Sequence, residues 1–566
     1  MRTSNVTQWS TWVGLAVIVL VAFWLRVYGN DFDLPHISHP DEENEVYRAL
    51  RLAAGNFEWE RVFKGGYFYL LFIEYGVMFV FLYLSGVIGS VSDYMNLFFQ
   101  DPTLFWLVGR TTTAVISTLG VVLVFGLARK LSGDLAGLLA AAFLAFCGLD
   151  VLNSHFITVD VPLTFATLVL AWFSLRIFET NETKYYVLAG LATGVALAIK
   201  ISSAPFFLTF VVAHVLARDP QSSVFSRLTD RRLLVALGIA AATFLFGQPG
   251  AIFYLPQHLV KILSADPFYV GSHAEKVSHL AQALWYAEAT IRYLGWPLTL
   301  SAIGGMLLAI VRWDKALMVL MVIPVCVYAT VVAVDSAFLR SPRYILPAVP
   351  FMTIFAATLL SAAFRRWGSK KTGLVAVGAL AGLVVLDQAI ASIGIVRGFE
   401  LPGTPIECRN WVQDNIPEGA RILVPGYPGV ADERRICPLE DRVENMLAFA
   451  SQLQTHSEMG ARLVRGQASA RDAKRYDLLV VKPDDPWPSL ETAKASGVKY
   501  AIIPAERAEH GEAIEPERRY SEFYSAAMNS GSRILYAATP TLQRPDGASQ
   551  RAQIVLVVDL APPQAP

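Results

Sequence analysis

The sequence predicts a polytopic α-helical membrane protein with about eleven spanning helices, a few juxtamembrane helices and a C-terminal extracytoplasmic α/β domain. Of its 566 residues 54% are hydrophobic and only 17% charged, and the mean hydropathy is +0.44, whereas soluble domains carry about 25% charged residues. Apolar segments recur up to residue 396, and beyond Arg397 charges and prolines become frequent. The predicted division is therefore a membrane domain, 1–397, and a soluble domain, 398–566.

The spanning helices follow from apolar stretches close to the length that crosses a bilayer. These stretches are 11–28, 66–90, 104–128, 134–151, 161–178, 185–199, 203–217, 233–247, 294–311, 316–334, 344–363 and 372–396. The first lacks a small-residue cleavage site, so we interpret it as an uncleaved helix. Arg26, at its outer end, is expected to snorkel to the interface.

The basic loops set the orientation, because loops rich in lysine and arginine stay on the cytoplasmic side. They are 129–130, 218–232, 312–315 and 365–371. All four are cytoplasmic if segment 66–90 makes no net crossing, as a re-entrant helix, a surface helix or a helix pair. The N-terminus is then cytoplasmic, and the external pieces are 29–103, 152–160, 248–293, 335–343 and the soluble domain. We expect an integral plasma (inner) membrane protein.

The acidic run Asp41-Glu42-Glu43 lies in the first external loop, 29–103. It follows His39-Pro40 and precedes an apolar face at helical spacing, as expected for the start of a helix on the membrane surface. A solvated acidic loop is the alternative. If the run is functional, a carboxylate here could act as a general base toward a hydroxyl. Glu43 and Glu45 are expected on the polar face of the helix.

Further charged side chains fall on the same predicted face. They are the cations Lys64, Arg110, Lys200, Arg340 and Arg343 and the acid Asp160. Three of them have a simpler explanation: snorkelling for Lys64, a structural ion pair for Arg110 and a helix N-cap for Asp160. His155 is expected to be a satisfied loop histidine. Together, however, a base and several cations at one membrane face suit transfer of a group from a lipid-linked phosphate.

An ordered set of short motifs carries a family resemblance. The motifs, spread over residues 25–350, are Leu25-Arg26-Val27-Tyr28, His39-Pro40-Asp41-Glu42, Lys64-Gly65-Gly66-Tyr67-Phe68-Tyr69, Val108-Gly109-Arg110, Ala128-Arg129-Lys130-Leu131-Ser132-Gly133, Val159-Asp160-Val161-Pro162-Leu163, Leu197-Ala198-Ile199-Lys200 and Arg343-Tyr344-Ile345-Leu346-Pro347. The chain resembles the glycosyltransferases of the GT-C superfold, in particular family 39 with the protein O-mannosyltransferases and lipid A aminoarabinose transferases.

The resemblance implies an inverting transfer of a sugar from a polyprenyl-phosphate donor to a hydroxyl of a lipid, glycan or protein acceptor. It assigns the role of general base to Asp41, with Glu42 beside it. It assigns binding of the donor phosphate to Lys64, Arg110 and Arg343, and we include Lys200 in the same set. Asp160 would shape the site or contact the sugar or acceptor. Gly65-Gly66 stands where a proline pair is common in the family, so the local position of Lys64 does not follow from the resemblance.

Cofactors and other partners follow more weakly. The resemblance implies no cofactor; a divalent metal on Asp41, Glu42, His155 and Asp160 is the alternative. Zero net charge gives no indication of nucleic acid binding. The segment 248–293, with several prolines and aromatic residues, is a candidate lid. A transporter or lipid flippase is the rival function, but it would place charges at mid-membrane depth and show an internal repeat. A non-catalytic binding protein of this fold is the other rival.

The soluble domain is predicted to alternate helices and strands. The predicted strands are 421–424, 476–481, 499–503, 533–537 and 554–559, and the predicted helices are 404–415, 488–496 and 520–530. No phosphate loop or nucleophile elbow occurs there, so a docking or acceptor-positioning role is expected. Cys408 and Cys437 would pair as a disulfide if the compartment is oxidising.

Overall fold

The structure is a computed structural model that describes residues 2–37, 39–57, 64–217, 224–263, 277–334, 340–426, 436–454, 458–470, 473–481, 485–507, 514–539 and 554–560. The chain forms two compact units, each assembled from separate stretches. One contains 1–28, 45–73 and 109–396, and the other contains 29–44, 74–108 and 397–566. The last stretch of the second unit begins at residue 397, and two early segments cluster with it; the division into a membrane domain and a soluble domain stays a prediction.

Apolar helices dominate the chain up to residue 399. They are α1 (Arg2–Val27), α2 (Pro40–Ala53), α3 (Tyr67–Leu84), α4 (Val91–Gln100), α5 (Thr103–Ser132), α6 (Asp134–Ala145), α7 (Gly148–Ser154), α8 (Asp160–Thr180), α9 (Thr183–Ile199), α10 (Leu208–Ala217), α11 (Val224–Leu228), α12 (Arg231–Gly247), α13 (Ala251–Leu263), α14 (His279–Val311), α15 (Lys315–Ala333), α16 (Val349–Trp367) and α17 (Lys371–Phe399). Short 3-10 helices cover Ile201–Phe207 and Pro342–Ala348. The predicted fold class, a polytopic helical membrane protein, is confirmed.

The number of spanning helices depends on how broken helices are counted. In the described part of the chain, eight helices are long and apolar enough to cross a membrane, or up to ten if each of two bent pairs is one span. The predicted eleven also included the shorter apolar helices Thr183–Ile199 and Ile201–Ala217. Segment 66–90, expected as a re-entrant or surface helix or a helix pair, contains one continuous helix of spanning length, α3.

Two tyrosines join α3 to the first turns of α5. The Tyr67 hydroxyl lies 2.6 Å from Thr113 Oγ1, and the Tyr75 hydroxyl donates to the Phe105 carbonyl at 3.2 Å. The later residue of α3 thus meets the earlier residue of α5, so the two helices run antiparallel there.

Arg26 does not snorkel, contrary to the expectation from the sequence. It is fully buried, and its guanidinium donates to the carbonyls of Ala22, Leu144 and Ala145, to Ser117 Oγ and to Asp150 Oδ2 at 2.6 Å. The reason is a break between α6 and α7, which bend by 57°. The last carbonyls of α6 lack helical partners, and Arg26 supplies donors to two of them.

A second break separates α12 from α13. These helices meet at 94°, and α13 exposes the apolar side chains of Ile252, Phe253 and Val260. Part of the predicted lid segment 248–293 is therefore a regular helix with an apolar exposed face, as in helices that lie along a membrane surface. Residues 264–276 of that segment lie outside the described residues, so its role as a lid stays a prediction.

The C-terminal region is an α/β domain, as predicted. Its strands are β1 (Arg421–Pro425), β2 (Glu440–Asp441), β3 (Arg475–Val481), β4 (Tyr500–Arg507), β5 (Ile514–Pro516), β6 (Arg533–Ala538) and β7 (Ile554–Asp559). They form one sheet in the order β2-β3-β1-β4-β7-β6, with β5 paired to β4. In this order β2, β3, β1 and β4 run parallel to one another. The strands β5 and β7 are antiparallel to β4, and β6 is antiparallel to β7.

The helices of this domain are α18 (Thr404–Asn415), α19 (Val443–Leu453), α20 (Glu458–Ala470), α21 (Leu490–Ala495) and α22 (Ser521–Asn529). Alternate residues of β1 enter different apolar clusters: Ile422 and Val424 pack with α18, and Leu423 packs with α21 and α22. This alternation is the normal consequence of strand geometry, and it shows that both sheet faces are covered.

Cys408 and Cys437 are both buried in the first of these clusters, and both are thiols in the structure. Burial raises the pKa of the Cys437 thiol well above its usual range, and the neighbouring Cys408 side chain acts in the same direction. The disulfide suggested by the sequence is therefore not formed here, although the two residues share one site.

Candidate active site

Asp160 begins α8, but its side chain does not cap that helix. The N-cap residue is Val159, and the Asp160 carboxylate is 3% exposed. Pro162 occupies the first turn, where its missing N–H costs nothing. The helix-cap explanation of Asp160 is therefore wrong for its side chain, which makes ion pairs instead.

Lys200 is the first partner of Asp160. Its Nζ lies 2.7 Å from Asp160 Oδ1, and its side chain is 14% exposed. The residue follows the last turn of α9 in an extended conformation (φ −157°, ψ 118°). Leaving the helix at this point turns the side chain from the apolar surface of α9 to the start of α8.

Arg343 reaches the same carboxylate from the 3-10 helix Pro342–Ala348. Its Nε lies 3.8 Å from Asp160 Oδ2. The ring of Tyr344 lies beside both cations, with its centroid 4.5 Å from Lys200 Nζ and 5.6 Å from Arg343 Cζ. An aromatic face attracts cations, so Tyr344 helps to hold two like charges close together.

Lys64 joins this group through its backbone. Lys64 and Lys200 are opposite each other in an isolated antiparallel bridge, and directly opposed residues place their side chains on the same side. The side chain of Lys64 is exposed, and its charge acts on Asp160 after those of Lys200 and Arg343. Arg48 of α2 donates a hydrogen bond to the Lys64 carbonyl and lies over the ring of Phe68.

The glycine pair after Lys64 makes the bridge feasible. The Gly65 N–H donates to the Ile199 carbonyl at 3.2 Å, and the Gly66 N–H to the Ala198 carbonyl at 2.8 Å. Prolines could not donate these bonds. A Cβ on Gly65 would lie 1.5 Å from Gln248 Nε2, which itself donates to the Ala198 carbonyl. The glycines therefore hold Lys64 in place through backbone hydrogen bonds that a proline pair could not make.

The result is a cluster of three cations, Lys64, Lys200 and Arg343, around the single carboxylate of Asp160. We call it the Asp160 cluster. These charges lie next to membrane helices, where charge is costly and usually serves a function. Such a cluster can hold an anion with several oxygens, because charge-assisted hydrogen bonds to ammonium and guanidinium groups are strong.

Arg110 is fully buried in α5. It lies close enough to His155 for their charges to interact, and it is not among the charges that act most on Asp160. His155 is also buried, with Nδ1 2.8 Å from the Val151 carbonyl and Nε2 3.1 Å from the Tyr28 carbonyl. The histidine is thus a satisfied loop residue, as expected, and the phosphate-binding role of Arg110 stays a prediction.

Asp41 and Glu42 lie in the first turn of α2, as predicted. Asp41 is half-buried and Glu42 fully buried. These residues belong to the second compact unit, whereas the Asp160 cluster belongs to the first. Glu43 and Glu45 were expected on a polar face, and this is wrong: both are buried, because α2 is enclosed on more than its apolar side.

The proposed metal ligands do not form a set within a single unit. In the described part of the chain, no group of three or more His, Cys, Asp or Glu side chains is arranged to hold a metal ion. Asp160 is surrounded by cations, which disfavour a divalent cation by repulsion. Both ring nitrogens of His155 lie against carbonyls.

Three contributors to the site were not found from the sequence. Tyr344 braces two cations, Arg48 holds the Lys64 carbonyl, and Gln248 packs on Gly65. Tyr344 directly follows Arg343, so its position in that motif was a usable signal. Arg48 and Gln248 act through the backbone of distant residues, for which the sequence has no local signal.

Comparison with known families gives one match. Residues 105–246 match the family described as dolichyl-phosphate-mannose-protein mannosyltransferase. The match covers α5 to the end of α12 and includes Arg110, Asp160 and Lys200. The resemblance drawn from the short motifs is thereby confirmed over this segment. No curated protein sequence matches the chain significantly.

Several solved structures are similar over most of the chain at low identity. One is the archaeal oligosaccharyltransferase AglB from Archaeoglobus fulgidus with an inhibitory peptide and a dolichol-phosphate (12% identity, 94% of this chain and 80% of that chain, TM-score 0.46). Another is ArnT from Cupriavidus metallidurans bound to undecaprenyl phosphate (15% identity, 99% and 100%, TM-score 0.45). A third is the arabinofuranosyltransferase AftD from Mycobacteria (13% identity, 97% and 41%, TM-score 0.36).

Proposed function

We propose that this protein transfers a sugar from a polyprenyl-phosphate donor to a hydroxyl acceptor at the external face of the membrane. One observation carries the proposal: the Asp160 cluster gathers three cations around one buried carboxylate. The phosphate of a lipid donor is complementary to these three cations, and its polyprenyl chain is complementary to the apolar helices around them. The family match over residues 105–246 supports the same class of reaction.

The chemistry assigned to these residues is a single displacement at the anomeric carbon. The Asp41 carboxylate, with Glu42 beside it, accepts the proton of the acceptor hydroxyl as that oxygen bonds to the carbon. The bond from the carbon to the phosphate oxygen breaks, and polyprenyl phosphate leaves with the electron pair. Lys64, Lys200 and Arg343 stabilise the charge on that phosphate as it develops. Attack from the opposite side inverts the configuration.

We propose that the reaction needs no metal ion, because the three side-chain cations already occupy the position where a metal would neutralise the phosphate. A chelator is then expected to leave transfer unchanged. We propose the orientation that the basic loops indicate, with the N-terminus cytoplasmic and the Asp160 cluster and the C-terminal domain extracytoplasmic; this orientation requires that α3, although long enough to span, does not cross the membrane. Labelling of single cysteines introduced at exposed positions from either side of sealed vesicles tests this topology.

The activity is tested in cells that lack the protein and are complemented with variants. Mass spectrometry of glycolipids and glycoproteins identifies the sugar and the acceptor by what disappears. Asp41→Asn is expected to give the same profile as the deletion, because the base is lost. Lys64→Met and Arg343→Met should reduce transfer, whereas Lys184→Met, at an exposed ion pair with Glu182, is the control. Unchanged transfer by Asp41→Asn would remove the mechanism.

Binding separates a transferase from its rivals. Purified protein in nanodiscs should bind polyprenyl phosphate, and Lys64→Met or Arg343→Met should weaken binding by about tenfold or more, since each removes a charge-assisted hydrogen bond. A flippase would instead move the lipid between leaflets of proteoliposomes, and this movement would persist in Asp41→Asn. A non-catalytic binding protein would bind the lipid but leave the cellular profile unchanged on deletion.

A further inference from the structure

The predicted first external loop, 29–103, contributes two segments to the compact unit that contains the C-terminal residues. One of them, 29–44, carries Asp41 and Glu42 in the first turn of α2, and the other, 74–108, contains α4. Each segment contacts the C-terminal domain at a different place. The segment with the proposed general base and the C-terminal domain therefore belong to one compact unit.

Asp33 joins segment 29–44 to the start of α18. Its Oδ1 accepts a hydrogen bond at 3.1 Å from the N–H of Gly403, which is buried. Gly403 is the N-cap residue of α18 and has no side chain with which to cap the helix, so a carboxylate from a distant part of the chain lies at the positive end of the helix dipole. Asp33 has a positive φ of 59°, a conformation that glycine, asparagine and aspartate adopt more easily than other residues.

A pair of phenylalanines lies beside this hydrogen bond. The ring centroids of Phe32 and Phe399 are 4.7 Å apart, and both side chains are buried. Phe399 is the last residue of α17, shortly before Gly403. Two adjacent residues of the early segment, Phe32 and Asp33, thus contact both ends of the short connection 399–403. Two such contacts fix the direction of the early segment as well as its position.

A second contact joins α4 to α20 of the C-terminal domain. The backbone of α20 lies so close to α4 that a Cβ on Gly466 would be 2.4 Å from the Phe99 carbonyl oxygen and 2.8 Å from the Phe99 Cβ. Phe99 is itself buried. Other residues of α20, namely Ala461, Val464 and Ala468, pack on α19. The missing side chain of Gly466 is therefore what allows α20 to contact α4 while it packs on its own domain.

We propose that the C-terminal domain positions the general base, with Asp33 and Gly466 as the positioning residues of the two contacts. The proposal rests on the proposed function, in which Asp41 is that base. A general base acts only within hydrogen-bond reach of the proton that it accepts. A displacement of about 1 Å, caused far from the chemistry, can lower a rate by about a hundredfold. Neither Asp33 nor Gly466 needs to touch the donor or the acceptor for this role.

Two variants each release one contact and keep the local backbone. Asp33→Gly tolerates the positive φ but removes the acceptor of the Gly403 N–H. Asp33→Asn keeps both the conformation and an acceptor oxygen, so it is the rescue variant. Gly466→Ala favours the helical state of α20, but its Cβ pushes α20 away from α4.

Two controls make the same changes where no early segment is held. Asp314→Gly removes the side-chain acceptor of the Leu317 N–H, a bond within the start of α15. Gly238→Ala adds a Cβ on α12 where it meets nothing within 4 Å. Both controls should behave as the wild type in every measurement below.

Transfer and lipid binding are measured on the full chain. Transfer is the rate at which the glycoconjugate lost on deletion reappears in cells after induction of each variant, at equal amounts of protein in the membrane. Asp33→Gly and Gly466→Ala should lower this rate by about tenfold or more, and Asp33→Asn should restore it. Affinity for polyprenyl phosphate in nanodiscs should not change, because the Asp160 cluster belongs to the other compact unit.

Hydrogen exchange of segment 29–44, followed by mass spectrometry, reports on the two contacts without any activity. It should become faster in Asp33→Gly and Gly466→Ala but not in Asp33→Asn. The proposal is overturned if exchange is unchanged, if exchange is faster but transfer is unchanged, or if lipid affinity falls together with transfer. Failure of the proposed function is distinct, because then no glycoconjugate depends on the protein or Asp41→Asn transfers as the wild type, while hydrogen exchange still responds.

Discussion

Asp160 and Lys200 form an ion pair at 2.7 Å in which the carboxylate is almost fully buried and the ammonium is nearly so. The pair joins the start of α8 to the end of α9, and Arg343 and Lys64 add two more positive charges to the same carboxylate. Asp160 therefore balances part of the charge that would attract a phosphate. The effect of removing this carboxylate on the affinity for polyprenyl phosphate can therefore be predicted and tested.

Asp160→Asn should bind polyprenyl phosphate more tightly than the wild type, by about tenfold, because one negative charge near the phosphate is lost. The amide oxygen can still accept from Lys200. Equilibrium binding of the lipid without a sugar isolates this effect from any contact between Asp160 and the sugar. Asp134→Asn, whose carboxylate pairs with Arg129 in another part of the chain, should not change the affinity. Weaker binding by Asp160→Asn would contradict the charge argument.

Gly65→Ala should destabilise the protein by about 1–3 kcal/mol, the usual cost of adding a methyl group where there is no space. The new Cβ would meet Gln248 Nε2 and displace the bond to the Ala198 carbonyl. Thermal unfolding in detergent measures the change. Gly76→Ala, where a Cβ meets nothing within 4 Å, should be neutral or stabilising. The double variant Gly65→Ala, Gln248→Ala should recover part of the loss; no recovery would place the clash elsewhere.

Arg26→Met should destabilise the chain by about 3–5 kcal/mol, because it leaves the buried carboxylate of Asp150 without its cation. The carbonyls of Leu144 and Ala145 at the end of α6 also lose their hydrogen bonds from the guanidinium. Asp150→Asn in the same chain should remove part of this cost, since the uncompensated charge is gone. The fraction of monodisperse protein after heating gives the ranking of the variants. If the single and double variants lose equal stability, the ion pair does not hold the α6–α7 break.

Cys408 and Cys437 should form a disulfide when the protein matures in an oxidising compartment, because both are buried in the same cluster of the C-terminal domain. Peptide mapping without reduction should recover the two cysteines in one cross-linked product. Its reduction is expected to lower the stability of the C-terminal domain by about 2–4 kcal/mol. Complete alkylation of both thiols in native protein from that compartment would contradict the pairing. Cys147 and Cys326, buried in the other unit, should stay reduced.

Asp441 gives a pH dependence to the C-terminal domain. Burial raises the pKa of its carboxyl above the usual value, while bonds from the backbone N–H groups of Leu478 and Arg442 and from Asn445 act in the opposite direction. A folded-state pKa above the unfolded one means that stability is highest below the unfolded pKa. It is then lost as pH rises through the folded pKa.

Asp441→Asn should therefore be more stable than the wild type above the folded pKa of Asp441 and equal or weaker below pH 4. The amide oxygen can keep all three bonds, and no charge needs to be buried. Limited proteolysis of the full chain between pH 4 and 7 measures the resistance of the C-terminal domain. A difference that is constant across this range would mean that the Asp441 charge does not contribute.

Local patterns were enough to predict most elements of the fold. The hydropathy run of each main helix and the apolar strands β1, β3 and β7 are properties of adjacent residues, and α18 has the predicted bounds 404–415. The strands β2 and β5 have two and three residues, too few to give a periodic pattern. The helices α19 and α20 each carry an apolar face at helical spacing, Met446 and Ala450 in one and Ala461, Val464 and Ala468 in the other, but these faces consist mostly of alanines and gave no strong signal.

The candidate site was predicted as a set of residues but not as a geometry. Lys64, Asp160, Lys200 and Arg343 each stood out as charges near the end of an apolar run. Their assembly depends on an antiparallel contact between residues 64–66 and 198–200. Neither segment has the alternating apolar pattern from which a strand pairing could be predicted. The prediction that Arg26 snorkels was wrong for a related reason. Its hydrogen-bond acceptors lie at the break between α6 and α7, and the residues around Arg26 in α1 give no sign of that break.

The backbone pairing of Lys64 with Lys200 places two positively charged residues opposite each other, which makes the stability of the molecule sensitive to a bound anion. Like charges directly opposite each other across two strands repel, and the fold keeps them there whether or not an anion is present. An anion that relieves this repulsion contributes its binding energy to folding. Lipid phosphate retained during extraction from the membrane should therefore act as a stabilising additive, and preparations stripped of it should be the first to aggregate.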